Sequence, residues 1–470
     1  MSTIQIQHIG ALKDTGEIPI KRVMLILGPQ GAGKSTLMKI LCYCRWVEKE
    51  IMKNLKNKDW YTHYKRFFKG LSEFHRLPQS FFSSDSSIVY KGDLVSIIWS
   101  LGKNKGNAKV SVSKSDFSRR RHNPKLAFIP AERNLVSAVQ NIDRNYRSNS
   151  RDVLFNFILE LEEAKQAYTI DNKLPLSIMS GLSYYQSPGG ANLIWHEEEQ
   201  QVLNAFYVAS GIQSAFPIDV ICSYLHTQVG RFSPMSTSEL SAVLLGFLSS
   251  GEKLPDDISE RLSRLEESFL YSSMQLYIEE PEQNLFPESQ RRLMLRLLQI
   301  ISSVKEKEKK AKEKKAWAEP YASSLVFTTH SPYLLSVINT QFAVARARLD
   351  LKANSEGFSG EEQDRHLAEL DALQPKYKLD DIKANSEGFS VEEQERRLAE
   401  LDALQQKYKL DDINLTSDEY AAYFVEPGGT LKNLIDPEFP MVSGVELDGV
   451  SDWVEDYTNE IYQIAYGSAD

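Results

Sequence analysis

The stretch Val23-Met24-Leu25-Ile26-Leu27-Gly28-Pro29-Gln30-Gly31-Ala32-Gly33-Lys34-Ser35-Thr36 decides the fold. Its first five residues form an unbroken apolar run, the pattern of a strand buried on both faces in the sheet of an α/β domain. Residues 28–35 satisfy Gly-x-x-x-x-Gly-Lys-Ser/Thr in full, and a helical pattern follows from about Ser35 to Glu50. Strand, glycine loop and helix in that order turn backbone N–H groups inward around a phosphate, at a helix end whose partial positive charge favours an anion. Gly28, Gly31, Gly33, Lys34, Ser35 and Thr36 are therefore candidate nucleotide-binding residues. Lys34 is placed to reach the β- and γ-phosphates, and the Ser35 hydroxyl to ligate a magnesium ion. ATP and Mg2+ are the expected cofactors.

Three further apolar runs read as strands of the same sheet. Leu126 to Ile129 stops at Pro130-Ala131-Glu132-Arg133. Gln275 to Ile278 ends in the adjacent carboxylates Glu279 and Glu280, followed by Pro281-Glu282. Leu325 to Thr328 runs into Thr329-His330-Ser331-Pro332. In a parallel sheet the carboxyl ends of the strands lie together and form the ligand edge, so Glu279, Glu280 and His330 fall beside the glycine loop.

Around this core the chain is uneven. Residues 51–125 carry 16 Lys+Arg against 5 Asp+Glu, and residues 415–470 carry 12 Asp+Glu against Lys432 alone, within an overall net charge of −9. The first block is a candidate surface for an anionic partner, with nucleic acid as one reading and mutual attraction between the two regions as another. Residues 352–382 recur at 383–413 with differences at four of 31 positions. Leucines every third residue beside many charges predict an exposed helical arm in each copy, since two copies are too few for a solenoid. The run 305–315, with seven Lys and three Glu, predicts a solvated helix extension. An edge strand is expected over the first ten residues, where Ile4, Ile6 and His8 alternate with polar neighbours, turning near Gly10, and another strand at 203–208, leading into Ala209-Ser210-Gly211.

With 42% hydrophobic and 25% charged residues, composition excludes global disorder and a membrane-embedded chain. The start lacks the basic and apolar segments of a signal peptide, which predicts a cytoplasmic location without a membrane partner. Cys42, Cys44 and Cys222 are expected to be reduced and buried, being too few for a disulfide framework.

In this order the glycine loop, the 278–287 strand end Ile-Glu-Glu-Pro-Glu-Gln-Asn-Leu-Phe-Pro and the 328–332 segment Thr-Thr-His-Ser-Pro resemble the ABC-type ATPases, specifically their soluble SMC-like and OLD-like branch. The resemblance covers residues 1–50, 125–140, 200–345 and 415–470. It implies an α/β P-loop ATPase core with an antiparallel N-terminal sheet, a helical lobe and, here, an inserted duplicated helical arm. The implied divisions are 1–50 and 125–345 for the core with its helical lobe, 51–124 for a basic inserted lobe, 346–413 for the arm and 414–470 for the acidic end of the core. Glu279 takes the magnesium position usually held by an aspartate, one methylene shorter. Glu280 becomes the catalytic carboxylate that polarises the attacking water, and His330 the catalytic contact to the γ-phosphate.

The family also implies a head-to-tail dimer in which a second copy donates a signature loop across the nucleotide. Ser210, Gly211 and Gln213 fit that loop best, and Met235-Ser236-Thr237-Ser238-Glu239 is the rival. Pro130–Arg133 stands where the family's glutamine loop is expected. No Asp-x-Asp occurs in the acidic tail, which argues against a Toprim nuclease within the chain. Leu27–Gln30, Trp46, the 278–287 segment and an arm after the His330 strand look most like the stand-alone ATPase subunit of the anti-phage system PARIS, with the Septu subunit second. That resemblance implies a homo-oligomeric ATP-hydrolysing sensor that holds a separate Toprim or HNH nuclease and releases it when a phage-encoded protein is detected. The alternative is an SMC/OLD-like ATPase acting on DNA.

Overall fold

A computed structural model of the chain describes residues 2–53, 57–113, 123–138, 152–231, 271–313, 323–353 and 415–435, with 396, 399, 413 and 442 singly. The rival signature segment 235–239, the rest of the helical lobe, nearly all of the duplicated arm and most of the acidic tail lie outside them. The chain divides into two compact units, residues 1–335 with 417–470, and residues 336–416.

The first unit is α/β, and its described residues form three sheets. Strands β1 (Thr3–Ile9), β2 (Leu12–Asp14) and β3 (Ile18–Pro19) open an antiparallel sheet. The apolar run becomes β4 (Val23–Leu27), buried at all five positions, and leads through the glycine loop into helix α1 (Lys34–Lys53). Helices α2 (Asn57–Thr62) and α3 (Arg66–Phe74) follow. Strands β5 (Phe82–Lys91), β6 (Val95–Ser100) and β7 (Lys109–Val112) then return to the first sheet, whose order is β2-β1-β5-β6-β7 with β3 on β1. β1 is thus interior, not at an edge, because Ile4, Ile6 and Ile9 on its buried face are matched across by Tyr90, Ile88 and Phe82 of β5.

The second sheet holds the site. Strand β8 (Pro124–Ile129) is followed by the short α4 (Leu135–Ala138) and by α5 (Val153–Lys165). A four-stranded antiparallel meander comes next: β9 (Leu174–Pro175), β10 (Leu182–Gln186), β11 (Asn192–His196) and β12 (Gln201–Asn204). The strand expected at 203–208 is this shorter one, ended where Asn204 Oδ1 accepts the Phe206 N–H and turns the chain. Helix α6 (Ser210–Gln228), strand β13 (Ser273–Glu279), helix α7 (Pro287–Glu313), strand β14 (Ser324–Thr328) and helix α8 (Pro332–Ala353) complete the central part. Strands β15 (Tyr420–Val425) and β16 (Leu431–Asn433) close the order β16-β15-β4-β14-β13-β8, parallel except at the β16 edge.

Helix α1 touches strands of both sheets and carries the core that unites them, with Leu37, Leu41, Val47 and Ile51 wholly buried. One buried carboxylate pins it. Glu48 accepts the Tyr90 hydroxyl at 2.5 Å and the Leu94 and Val95 amides at 3.1 and 3.3 Å, and pairs with Arg45 at 3.2 Å. A charge taken out of water is tolerated only when its acceptor positions are filled in this way.

At the opposite edge of the parallel sheet from the glycine loop, Arg22 pairs with Glu308 at 3.0 Å and Glu419 at 2.9 Å. Glu308, expected on a solvated helix, is buried and also takes the Ser323 amide and hydroxyl. Cys42, Cys44 and Cys222 are free and buried. Among the described residues no helix is long and apolar enough to cross a membrane.

Candidate functional site

Register brings the site together. Thr328 of β14 pairs with Ile26 of β4 on one side and with Glu279 of β13 on the other, so three parallel strands end abreast. With about 4.8 Å between neighbouring strands, the glycine loop and the carboxylate pair stand about 10 Å apart, with the His330 segment between them. That distance is of the order of an extended triphosphate's length.

Within the glycine loop, Gly31 and Gly33 hold φ of 76° and 111°, the left-handed region that only glycine enters without strain. Gly28 is set by a close approach: a Cβ there would meet the Val425 carbonyl oxygen of β15 at 2.5 Å. Lys34 and Thr36 are buried at the start of α1. Lys34 Nζ donates to the Gly28 and Pro29 carbonyls at 2.8 Å each, so the lysine closes over its own loop. Burial pulls its pKa down while Glu280 and Glu282 pull it up. Ser35, one residue on, stands at the second position of the helix.

The two carboxylates are held differently. Glu279 is buried, accepts the Ala131 amide at 3.2 Å and lies 3.6 Å from Lys39 of α1. Glu280 is half-buried in a left-handed turn, φ 43°, which is strained for a residue with a Cβ. His330 Nε2 stands 3.4 Å from Glu280 Oε1. The neighbouring imidazole first, then Lys34 and Arg133, hold the Glu280 carboxyl below the usual carboxylate range against the opposing effect of burial. It is ionised at neutral pH and free to accept a proton from water.

Two buried residues hold this geometry. Arg133, in the segment read as a glutamine-loop candidate, is wholly buried. It donates to the Glu279 carbonyl at 2.7 Å, the Glu280 carbonyl at 2.6 Å and the Ser214 carbonyl at 2.9 Å, fixing the strained turn from below. Burial draws its pKa down to about 10, and it stays charged at neutral pH. Glu282 accepts the Thr329 hydroxyl and the His330 amide at 2.7 Å each through one oxygen, clamping the β14 end to the β13 end. Burial raises its pKa. Neither clamping role was singled out in the sequence, where Glu282 is one carboxylate among three and Arg133 is the last residue of the Pro130–Arg133 glutamine-loop candidate. The one signal available was that each flanks the end of an apolar strand.

The proposed signature residues lie in the same chain beside the carboxylate loop. A Cβ on Gly211 would meet the Asn284 carbonyl oxygen at 2.8 Å, so this glycine marks a backbone crossing. Ser210 is exposed at the first turn of α6, which has no side-chain cap. The Gln213 amide folds back onto the Ala205 and Phe206 carbonyls at 3.1 and 2.9 Å.

Hard oxygen donors for a magnesium ion are available in the Ser35 hydroxyl and the Glu279 carboxylate, and this set fits the metal when phosphate oxygens complete it. Among the described residues no cluster of three or more His, Cys, Asp or Glu could hold a metal by itself.

No family model and no curated protein matches the chain. Among solved structures, the SMC head domain from Thermotoga maritima is similar over 71% of this chain and 90% of its own, at 11% identity and TM-score 0.30. The Smc head with an extended coiled coil bound to the C-terminal domain of ScpA, from Pyrococcus furiosus, covers 72% and 92% at 9% identity and TM-score 0.32. A dimeric bacterial ABC transporter cassette covers 71% and 90% at 13% identity and TM-score 0.25.

Proposed function

We propose that the chain is a Mg-ATP-binding ATPase whose nucleotide lies along the ends of β4, β14 and β13. The observation that carries this reading is the register that sets a complete glycine-lysine-serine loop abreast of Glu279, Glu280 and His330. Lys34 leaves the Gly28 and Pro29 carbonyls for the β- and γ-phosphates, a swap of neutral acceptors for charged ones. Glu280 takes a proton from the attacking water, and His330 faces the γ-phosphate from the strand between. Magnesium, when bound by Ser35 and Glu279, neutralises charge on the phosphates. Ser210, Gly211 and the first amides of α6 act toward the γ-phosphate of a second copy in a head-to-tail dimer, the contact by which nucleotide state reaches a larger homo-oligomer.

At a finer level we read the chain as the cytoplasmic sensor subunit of an anti-phage complex, akin to the PARIS ATPase. In this reading it holds a Toprim or HNH nuclease and releases it on meeting a phage-encoded trigger. The support is the likeness of residues 27–30, Trp46 and 278–287 to that subunit. The second reading, an ATPase acting on DNA, draws on the basic block 51–125. Lys34→Ala tests what both share: ATP affinity by titration calorimetry should fall about a hundredfold, the loss of roughly two charge-assisted contacts. Unchanged affinity rejects the site.

A further inference from the structure

The basic block, on which the second reading draws, holds a surface that the nucleotide site does not use. The turn between α2 and α3 carries two consecutive left-handed residues, Tyr64 (φ 54°) and Lys65 (φ 55°), and the facing loop carries a third, Lys105 (φ 54°). Such backbone is kept only where surrounding contacts enforce it. Here the Lys65 amide donates to Asn107 Oδ1 at 2.8 Å and locks the two loops together. On this base Arg66 lies 3.5 Å from the Trp60 ring centroid and 5.1 Å from that of Tyr64, while the two rings remain 56% and 75% exposed.

Buried rings anchor the platform. The inner side of α3 buries Phe67 and Leu71, and Phe68 stacks on Trp99 of β6 with 7° between ring planes. Lys65, Arg66, Lys103 and Lys105 form no ion pair among the described residues, and Asp59 and Glu73, the carboxylates of these helices, pair with none of them. Aromatic faces left in water beside unpaired cations suit a ligand with flat rings at one spacing and negative charges at another. Duplexes hide their base faces, and an acidic peptide offers a ring only at its aromatic residues, whereas a single strand offers a base and a phosphate at every nucleotide.

We propose that the Trp60–Arg66–Tyr64 ladder, with Lys65, Lys103 and Lys105, binds single-stranded nucleic acid by base stacking and phosphate pairing. The test uses the full chain without nucleotide, so its result is independent of the ATPase reading. Fluorescence anisotropy is measured with a labelled oligo(dT), the matching duplex and a peptide of the acidic residues 443–470. Oligo(dT) should bind more tightly than the duplex. Trp60→Ala with Tyr64→Ala should weaken it about tenfold per ring while thermal melting and ATP binding stay unchanged. Lys65→Gln with Lys105→Gln should flatten the slope of log affinity against log salt by about 0.7 per lysine. Unchanged affinity after removal of both rings, equal affinity for duplex, or binding of the acidic peptide in place of the oligonucleotide overturns the proposal.

Discussion

At Glu280 the chain accepts a left-handed backbone that a glycine would adopt more easily, and the reason lies in what surrounds it. Arg133 draws the Glu279 and Glu280 carbonyls to one side, and Glu282 draws His330 to the other, so the turn aims the Glu280 carboxylate at the imidazole. The clamp makes a specific demand on Glu282, whose single accepting oxygen serves two donors. Glu282→Gln keeps an oxygen acceptor there and should retain most turnover. Glu282→Ala leaves the His330 amide unpaired, destabilising by about 1–3 kcal/mol, and should lower kcat well below that of the glutamine variant. Paired measurement of melting temperature and steady-state phosphate release checks both; equal turnover by the two variants denies Glu282 a positioning role. These two positions were not legible in the sequence. A charged residue near a strand end reads the same whether it faces water or is sealed under the next strand, and only the sheet order decides which.

Among the elements, α3 carries a second buried group with a measurable signature. His75, its C-terminal cap, is wholly buried between Tyr43, Phe74 and Phe128, and neither ring nitrogen has a hydrogen-bond partner among the described residues. Burial lowers its pKa from 6.5 to about 3. The folded state therefore refuses a proton that the unfolded chain accepts. Stability from this group is complete above pH 6.5 and declines by about 1.4 kcal/mol per pH unit as the pH falls from there toward 3. His75→Leu should remove that slope, seen in denaturant midpoints taken between pH 7 and 4; an unaltered slope contradicts the assignment. Elements with strong periodicity were readable in advance: β4, β8, β13, β14 and α1 stand where the apolar runs placed them. The antiparallel strands of 82–112 were hidden because serines fill much of β5, and alternation survives only at Ile88 and Tyr90. β15 was hidden in another way, since Tyr420–Val425 joins β4 from nearly 400 residues away, and no local pattern specifies such a partner.

For the whole molecule, the two sheets share one helix, and that helix begins at Lys34. Movement of α1 on nucleotide binding would therefore be felt by the antiparallel sheet through Glu48, Tyr90 and Arg45, and by the parallel sheet through its apolar face. The described part of the basic block supplies β5, β6 and β7 to the antiparallel sheet, with Lys65, Lys91, Lys103, Lys105 and Lys109 exposed. In the proposed function Lys34, Ser35, Glu279, Glu280 and His330 serve one triphosphate, with binding and hydrolysis assigned to different residues. A filter-binding assay with γ-labelled ATP on Glu280→Gln separates the two functions. This variant should retain label at wild-type affinity and release phosphate at least about a hundredfold more slowly, as expected when a proton-accepting carboxylate is removed. Release at the wild-type rate, or failure of the wild type to retain ATP at all, would contradict it.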